Sequence, residues 1–304
     1  MKETIIGTGL SGLVGSRIVQ LLSKQFNFVD FSLDTGVDIT DFKLLKSKFN
    51  QFPQAKAVLH LAAFTNVNSA WEQKGDKNGL CYRVNVLGTR NISQLAKQTN
   101  KYLIHISTDF VFDGHNPPQG GYKEEDQPNP IEWYGQTKYW AEQEVEKSTG
   151  QSVILRIAFP YKAQPAPQNL EPQVKLDLVR KIIDKLKKKE QLTMFADQII
   201  TPTFIDDIVQ VINRCLQKKT AGIFHCTGST SLSPYNLALK IAQTFNLNQS
   251  LIKSSSLKDY LKTHPDSRPR QINMELSNKK IEKELKIKML TIDQGLREIK
   301  EATS

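Results

Sequence analysis

An α/β fold carrying a doubly wound parallel sheet is predicted by three observations. The chain opens on a short apolar run, Thr4-Ile5-Ile6, followed by a glycine-rich stretch and the amphipathic segment Ser16–Leu22. Short apolar runs then alternate with helical stretches as far as about residue 160, the pattern of β-α-β units in a parallel sheet. Beyond that the composition changes at a Pro-rich segment, and the later elements read as a smaller C-terminal lobe. A chain of 304 residues suffices for one large domain or two coupled ones. The expected division is a Rossmann-like domain over 1–160 and a lobe over 161–304 that returns some elements to the main sheet.

The first strand feeds Gly9-Leu10-Ser11-Gly12-Leu13-Val14-Gly15 into a helix. Strand, glycine turn and helix form the setting of a dinucleotide site. The glycines let backbone approach a pyrophosphate, and the helix N-terminus offers it unpaired N–H groups. The same glycines also suit a plain tight turn. Phe26–Asp30 is the second strand, and Asp30 closes it roughly twenty residues past the glycine turn. An acid there accepts hydrogen bonds from an adenosine ribose and favours NAD over NADP, although an Asp opening a loop is equally ordinary. Thr40 or Asp41 is placed to cap a helix over Phe42–Phe49.

Ala57–Leu61 is the third strand, running into Ala62-Ala63, small residues that admit a cofactor or simply pack. His60 lies inside the apolar run and reads as structural. Asn66–Asn78 reads as a polar loop. Leu80–Gln98 is a long helix in which Asn85 costs propensity, so it either reaches a backbone group or orders a site. Tyr102–Ile106 is the fourth strand and delivers Ser107-Thr108-Asp109 at its C-terminal end, where open parallel sheets bind ligands. A Pro- and Gly-rich loop leads to Pro130. Trp133 then opens a helix to about Ser148, with Tyr134 and Lys138 four apart on one face. Ser152–Arg156 is the fifth strand. Lys162–Gln173 is a Pro-rich loop. Helices are expected over Val174–Lys189, Phe204–Leu216, Ser233–Phe245 and a Lys-rich stretch after Leu276, with strands at Leu192–Phe195 and Gly222–Thr227.

The 41 basic and 31 acidic residues leave a net charge of +10. Runs such as Lys185–Lys189 read as solvated helix faces, and the charge is compatible with an anionic cofactor or substrate. No basic stripe interleaved with aromatics suggests nucleic acid. Cys81, Cys215 and Cys226 are odd in number and far apart, which suggests neither a disulfide framework nor a thiolate metal site. No apolar run is long enough to span a membrane, so a soluble cytoplasmic protein without a metal is the default. A homodimer is left open.

Taken together, the glycine turn, Thr108 and the Tyr134–Lys138 pair are an apparatus for hydride transfer to a carbonyl. The Tyr134 hydroxyl gives a proton to the developing alkoxide. Lys138 is expected to lower the phenol pKa and to bind the nicotinamide ribose. Thr108, or Ser107, hydrogen-bonds the substrate oxygen. The cofactor carries the hydride and the protein positions it. Tyr-x-x-x-Lys alone is a weak signal and gains its force from the glycine turn and the hydroxyls after the fourth strand.

The chain resembles the extended short-chain dehydrogenase/reductases, and among them the dTDP-4-dehydrorhamnose reductases. The matching stretches are Gly9–Gly15, Leu61-Ala62-Ala63-Phe64-Thr65, Val84–Thr89, Ser107–Gly114, Tyr134–Lys138, Leu155-Arg156, Gln198–Thr203 and Arg268-Pro269. Ser-Thr-Asp-x-Val-Phe-Asp-Gly discriminates best. The resemblance implies reduction, by NADH or NADPH, of the 4-keto group of a nucleotide-linked 6-deoxysugar, foremost dTDP-4-dehydro-L-rhamnose to dTDP-L-rhamnose. Thr108, Tyr134 and Lys138 fall on the catalytic positions. The cofactor regions are matched by Gly9, Ser11, Gly12, Leu13, Val14, Gly15, Asp30, Asp38, Ile39, Leu61, Ala62, Ala63, Thr65, Asn85, Ser107 and Phe159, with Tyr134 and Lys138. Thr108, Asp109, Phe110, Trp133 and Arg268 are implied on the sugar-nucleotide side. Trp133, just before the tyrosine, is placed to restrict or stack on the substrate. Arg268 serves equally to seal a domain edge.

The segment Asn66–Glu72 departs from the Asp, Lys and Ala-Glu usual in the family after the third strand, which puts the exact sugar in doubt. Two alternatives stand beside the reductase. One is another nucleotide-sugar enzyme such as an epimerase. The other is a non-catalytic relative like the regulatory subunit of methionine adenosyltransferase. A dehydratase is disfavoured, because Asp109 is followed by Phe110 and not by a second acid.

Overall fold

A computed structural model of the chain describes residues 2–115, 117–148, 151–162 and 176–303. The expected Pro-rich loop, beyond Lys162, and the expected helix start at Val174 lie outside the described residues. By internal contacts the chain divides into two units. The first comprises Met1–Asp113, Gln127–Arg156 and Val209–Phe224, and the second Gly114–Asp126, Ile157–Ile208 and His225–Ser304.

The first unit is organised by a six-stranded sheet. Its elements in order are β1 (Glu3–Thr8), α1 (Leu13–Leu22), β2 (Phe26–Asp30), α2 (Phe42–Asn50), β3 (Ala57–His60), α3 (Val67–Glu72), α4 (Leu80–Tyr82), a π-helical segment (Arg83–Gly88), α5 (Thr89–Gln98), β4 (Tyr102–Thr108), α6 (Trp133–Lys147) and β5 (Ser152–Ile157). Strand order is β2-β1-β3-β4-β5, closed by β9 (Gly222–His225), which returns from much later in the chain. The pairings β1 with β2, β1 with β3 and β3 with β4 are parallel, with Gly7 opposite Asp30 and Thr8 opposite His60. The α/β doubly wound reading therefore holds. β4 is buried along its whole length, as a central strand covered on both faces must be. One layer of core joins Ile6, Phe31, Leu45, Phe49, Val58, Ile92, Leu103 and Ile154.

The second unit has two small parallel pairs. β6 (Pro160–Tyr161) lies beside β8 (Thr203–Phe204), and β7 (Leu192–Phe195) beside β10 (Ile252–Ser255). Around them stand α7 (Leu178–Lys187), α9 (Pro234–Thr244), α10 (Leu257–Thr263) and α11 (Ile292–Thr303). α8 (Ile205–Lys218) begins in the second unit and continues into the first. Their core gathers Tyr161, Ile182, Phe204, Leu237, Ile241, Leu296 and Ile299.

Three elements differ from the sequence reading. The loop expected over Asn66–Asn78 contains α3, because Asn66 caps it by accepting from the Ser69 N–H and Ala70 is wholly buried. The long helix expected over Leu80–Gln98 is interrupted by the π-helical segment around Asn85. The mixed stretch Leu251–His264 holds β10 and α10, the latter capped by Ser256.

Candidate active site

The glycine turn lies between β1 and α1. Gly9 sits at φ +68°, a left-handed conformation, and a Cβ there would lie 2.8 Å from the Ala62 nitrogen. Only glycine meets both demands. Gly12 is different. It is the N-cap of α1 with φ −69°, an ordinary extended backbone, and its missing side chain leaves the helix start open. No side chain caps α1 and no acid stands in its first turn, so its N–H groups are available to an anion. Ser11 is exposed in the same turn, Leu13 and Val14 open the helix, and Gly15 is buried beneath the turn.

Asp30, opposite Gly7, takes a hydrogen bond from Ser32 at 2.9 Å through Oδ2. Its Oδ1 is buried without a partner among the described residues. An acceptor withheld from water beside a glycine turn suits a ribose hydroxyl. Thr8 Oγ1 accepts from the Ala62 N–H at 3.1 Å, and Leu61 N–H bonds the Thr8 carbonyl at 3.1 Å. These two bonds hold Leu61 and Ala62 beside the turn, with Ala63 next in chain and Thr65 exposed at the loop. Asp38 accepts from the N–H and hydroxyl of Thr40, both at 2.8 Å, closing its own turn. Ile39 is a core residue. Asn85 answers the question its position raised. It accepts from Phe64 N–H at 2.7 Å and donates to Phe64 O at 3.3 Å and to Thr137 Oγ1 at 3.0 Å. It thus ties the loop after β3 to α6.

Thr108 ends β4, and α6 brings Tyr134 and Lys138 beside it. All three are at least nine-tenths buried. The carbonyl of Phe110 abuts Gly135, where a Cβ would collide with it. Glycine after the tyrosine is what lets the strand end and the helix meet. The Phe110 ring stands edge-on to Tyr134 at 5.7 Å. Thr108 donates to Asp109 Oδ1 at 2.9 Å and accepts from the Phe110 N–H at 3.3 Å.

The expected lowering of the Tyr134 pKa by Lys138 is not found. Burial chiefly, then the charges of Glu132 and Asp109, push the phenol above its ordinary value, with the nearby Thr108 opposing them. The Lys138 ammonium donates to Ile106 O at 2.7 Å and stands 3.3 Å from His105 Nε2, so β4 takes up its hydrogen-bonding capacity. Burial brings Lys138 down to about 8.

Four groups around this centre escaped the sequence reading. Glu132 is the buried N-cap of α6, accepting from the N–H groups of Tyr134 at 2.9 Å and Gly135 at 2.5 Å. Glu142 and Arg156 form a fully buried pair, and Ser107 donates to Glu142 at 2.6 Å. Ser107 therefore spends its proton on structure. His105 stacks toward His60 with centroids 5.2 Å apart. His60 itself lies between Thr8 and Thr89 at 2.7 and 2.9 Å, and burial lowers it to about 3. The structural reading of His60 fits this. The only advance signals were an arginine inside an apolar strand and a residue preceding a helix.

Trp133 is buried, its indole edge-on to Trp140 at 5.5 Å in a cluster with Ala70, Cys81 and Tyr134. Its ring is engaged in packing. Phe159 and Arg268 belong to the second unit. Phe159 has φ +40°, a strained value for a large side chain, and its carbonyl accepts from Thr203 N–H at 3.3 Å. Arg268 is half-buried and donates to Pro269 O at 3.3 Å. The cysteines are buried and free of disulfides. Among the described residues no group of three His, Cys, Asp or Glu side chains is arranged for a metal, and no helix is long and apolar enough to cross a membrane.

Comparison with known proteins matches residues 1–304 to the family described as RmlD substrate binding domain. The chain is 27% identical to the probable low-salt glycan biosynthesis reductase Agl14 of Haloferax volcanii, over 98% of this chain and 97% of that one. It is 32% identical to methionine adenosyltransferase 2 subunit beta of Bos taurus, over 83% of this chain and 75% of that one. Among solved structures it is similar to dTDP-4-dehydrorhamnose reductase of Bacillus anthracis in complex with NADP. The TM-score is 0.86 and the identity 25%, with 99% of each chain covered.

Proposed function

Because the chain belongs to the RmlD substrate binding domain family, we propose that it is an NAD(P)H-dependent reductase of a nucleotide-linked 4-keto-6-deoxysugar. dTDP-4-dehydro-L-rhamnose is the first candidate. The observation that carries this reading is the buried meeting of Thr108, Tyr134 and Lys138 at the end of β4, in the unit that also holds the open start of α1.

The dinucleotide, when bound, supplies the hydride. Gly9–Gly15 and the first turn of α1 would hold its pyrophosphate, and Asp30 Oδ1 a ribose hydroxyl, which favours NAD. Lys138 would face the second ribose after leaving Ile106 O. Tyr134, kept protonated by burial, gives its proton to the sugar oxygen as charge grows there. Thr108 steadies the same oxygen. Asn85, through Phe64 and Thr137, fixes the loop after β3 against α6.

A second reading, a subunit that assists another enzyme, is favoured by the identity to the bovine methionine adenosyltransferase subunit. The retained Thr108, Tyr134 and Lys138 favour the reductase. The test is an NADH and NADPH oxidation assay with a panel of nucleotide-linked 4-ketosugars. Oxidation with a dTDP-linked 6-deoxy-4-ketosugar is expected. No oxidation with any of the panel would move the assignment to the subunit reading.

A further inference from the structure

A carboxylic acid sits beside the reaction centre with half its hydrogen-bonding capacity unused. Asp109 is 1% exposed. Its Oδ1 accepts from Thr108 at 2.9 Å, while Oδ2 makes no hydrogen bond among the described residues. Thr108 Oγ1 in turn accepts from the Phe110 N–H at 3.3 Å. The Thr108 hydroxyl has a single hydrogen to give, and here Asp109 takes it.

We propose that Asp109 is a positioning residue that sets the direction of the Thr108 hydroxyl, resting on the reductase reading above. When Asp109 is ionised it accepts only, so Thr108 must turn its hydrogen inward to Oδ1 and has none for a substrate oxygen. When Asp109 carries a proton it donates to Thr108 Oγ1, and the Thr108 hydrogen is released outward to the oxygen that Tyr134 protonates. One proton, taken from solvent and held on Asp109, reverses the Thr108 hydroxyl. No bond to the substrate is made or broken by it.

The surroundings favour the protonated form near neutrality. From α6, the Glu132 carboxylate and the Tyr134 hydroxyl face Asp109. Glu132 accepts from two helix N–H groups, and negative charge there disfavours a second one nearby. Lys138, on the same helix, is turned to Ile106 O and His105. Cys81, from α4, is engaged with Thr137. No cation is paired with Asp109 among the described contacts. Burial first, with Glu132 adding to it, raises Asp109 to about 7. The Thr108 hydroxyl and the N–H groups of Asp109 and Phe110 oppose the shift.

The experiment combines kinetics with a readout that needs no substrate. The pH profile of kcat/KM for 4-ketosugar reduction should fall by about 10-fold through a midpoint near 7 as Asp109 ionises. Asp109→Leu and Asp109→Asn should both lose this limb, since neither side chain titrates. Above the midpoint Asp109→Leu should raise kcat/KM by about 10-fold in the wild-type background and by less than about 2-fold in a Thr108→Val background, because Asp109 acts through Thr108. Equal effects in both backgrounds, or a limb that survives in Asp109→Leu, overturn the proposal. Difference infrared spectroscopy of the ligand-free protein should show a protonated carboxyl that titrates near the same pH and is absent from Asp109→Leu and Asp109→Asn. Absence of that band in the wild type also overturns it. If no 4-ketosugar is reduced, the reductase reading fails while the infrared titration still decides whether Asp109 holds the proton.

Discussion

Tyr134 and His60 illustrate how burial assigns chemistry to single side chains. Burial keeps Tyr134 in the phenol form well past neutral pH, and a donor must hold its proton until charge develops on the substrate. Tyr134→Phe should therefore lower kcat/KM by about 10²–10⁴-fold, while cofactor affinity, measured by fluorescence titration, changes by less than about 2-fold. His60 is depressed from 6.5 to about 3 by burial, with the Lys138 charge second. A depressed histidine contributes stability above its unfolded value, and loses it as pH falls toward the folded one. Acidification from 6.5 to about pH 5 should thus cost roughly 2 kcal/mol through this residue. Thermal melts of wild type and His60→Gln should diverge over that interval, the variant falling less. At this scale Tyr134 and Lys138 were legible because their spacing is local, and Thr108 because it ends a strand. Glu132, Glu142 and Arg156 were hidden. Glu142 and Arg156 are each other's partner on separate elements, and Glu132 is a cap of a kind that Ser, Thr, Asp and Asn usually supply.

The elements show which constraints belong to the fold and which to a ligand. Gly9 is required by its left-handed backbone and by the approach of Ala62. Gly12 meets no such demand, and a Cβ there has one contact, 3.3 Å from the Gly9 carbonyl. Gly9→Val should lower the melting temperature and abolish cofactor binding together. Gly12→Val should weaken cofactor binding by at least about 10-fold with a smaller fall in melting temperature, since it blocks the open start of α1. Calorimetric melts and a cofactor titration on both variants check this, and equal thermal losses would count against the distinction. β1, α1, α6 and the fourth strand were legible from their apolar pattern. The π-helical segment was not. It carries Asn85, whose partners Phe64 and Thr137 lie 21 and 52 positions away, and π-segments are frequent at functional sites.

Across the whole molecule, the alternation of strands and helices was enough to predict the doubly wound sheet. It did not reveal that β9 would close the sheet beside β5, since that pairing joins residues far apart in sequence. In the second unit the short pairs β6 with β8 and β7 with β10 have strands of two and four residues, too brief to impose a visible period. The +10 net charge is consistent with attraction of two anionic ligands, a dinucleotide and a sugar nucleotide. The central claim is that this fold moves a hydride from a nicotinamide to carbon 4 of such a sugar, with Tyr134 giving the proton. The most direct measurement supplies NADH and NADPH deuterated at the transferable nicotinamide position with dTDP-4-dehydro-L-rhamnose, and follows the label by NMR and mass spectrometry. The account predicts one deuterium at carbon 4 of the reduced sugar, formed by the wild type and nearly absent with Tyr134→Phe. Reduced sugar lacking the label, or equal labelling by wild type and Tyr134→Phe, would contradict it.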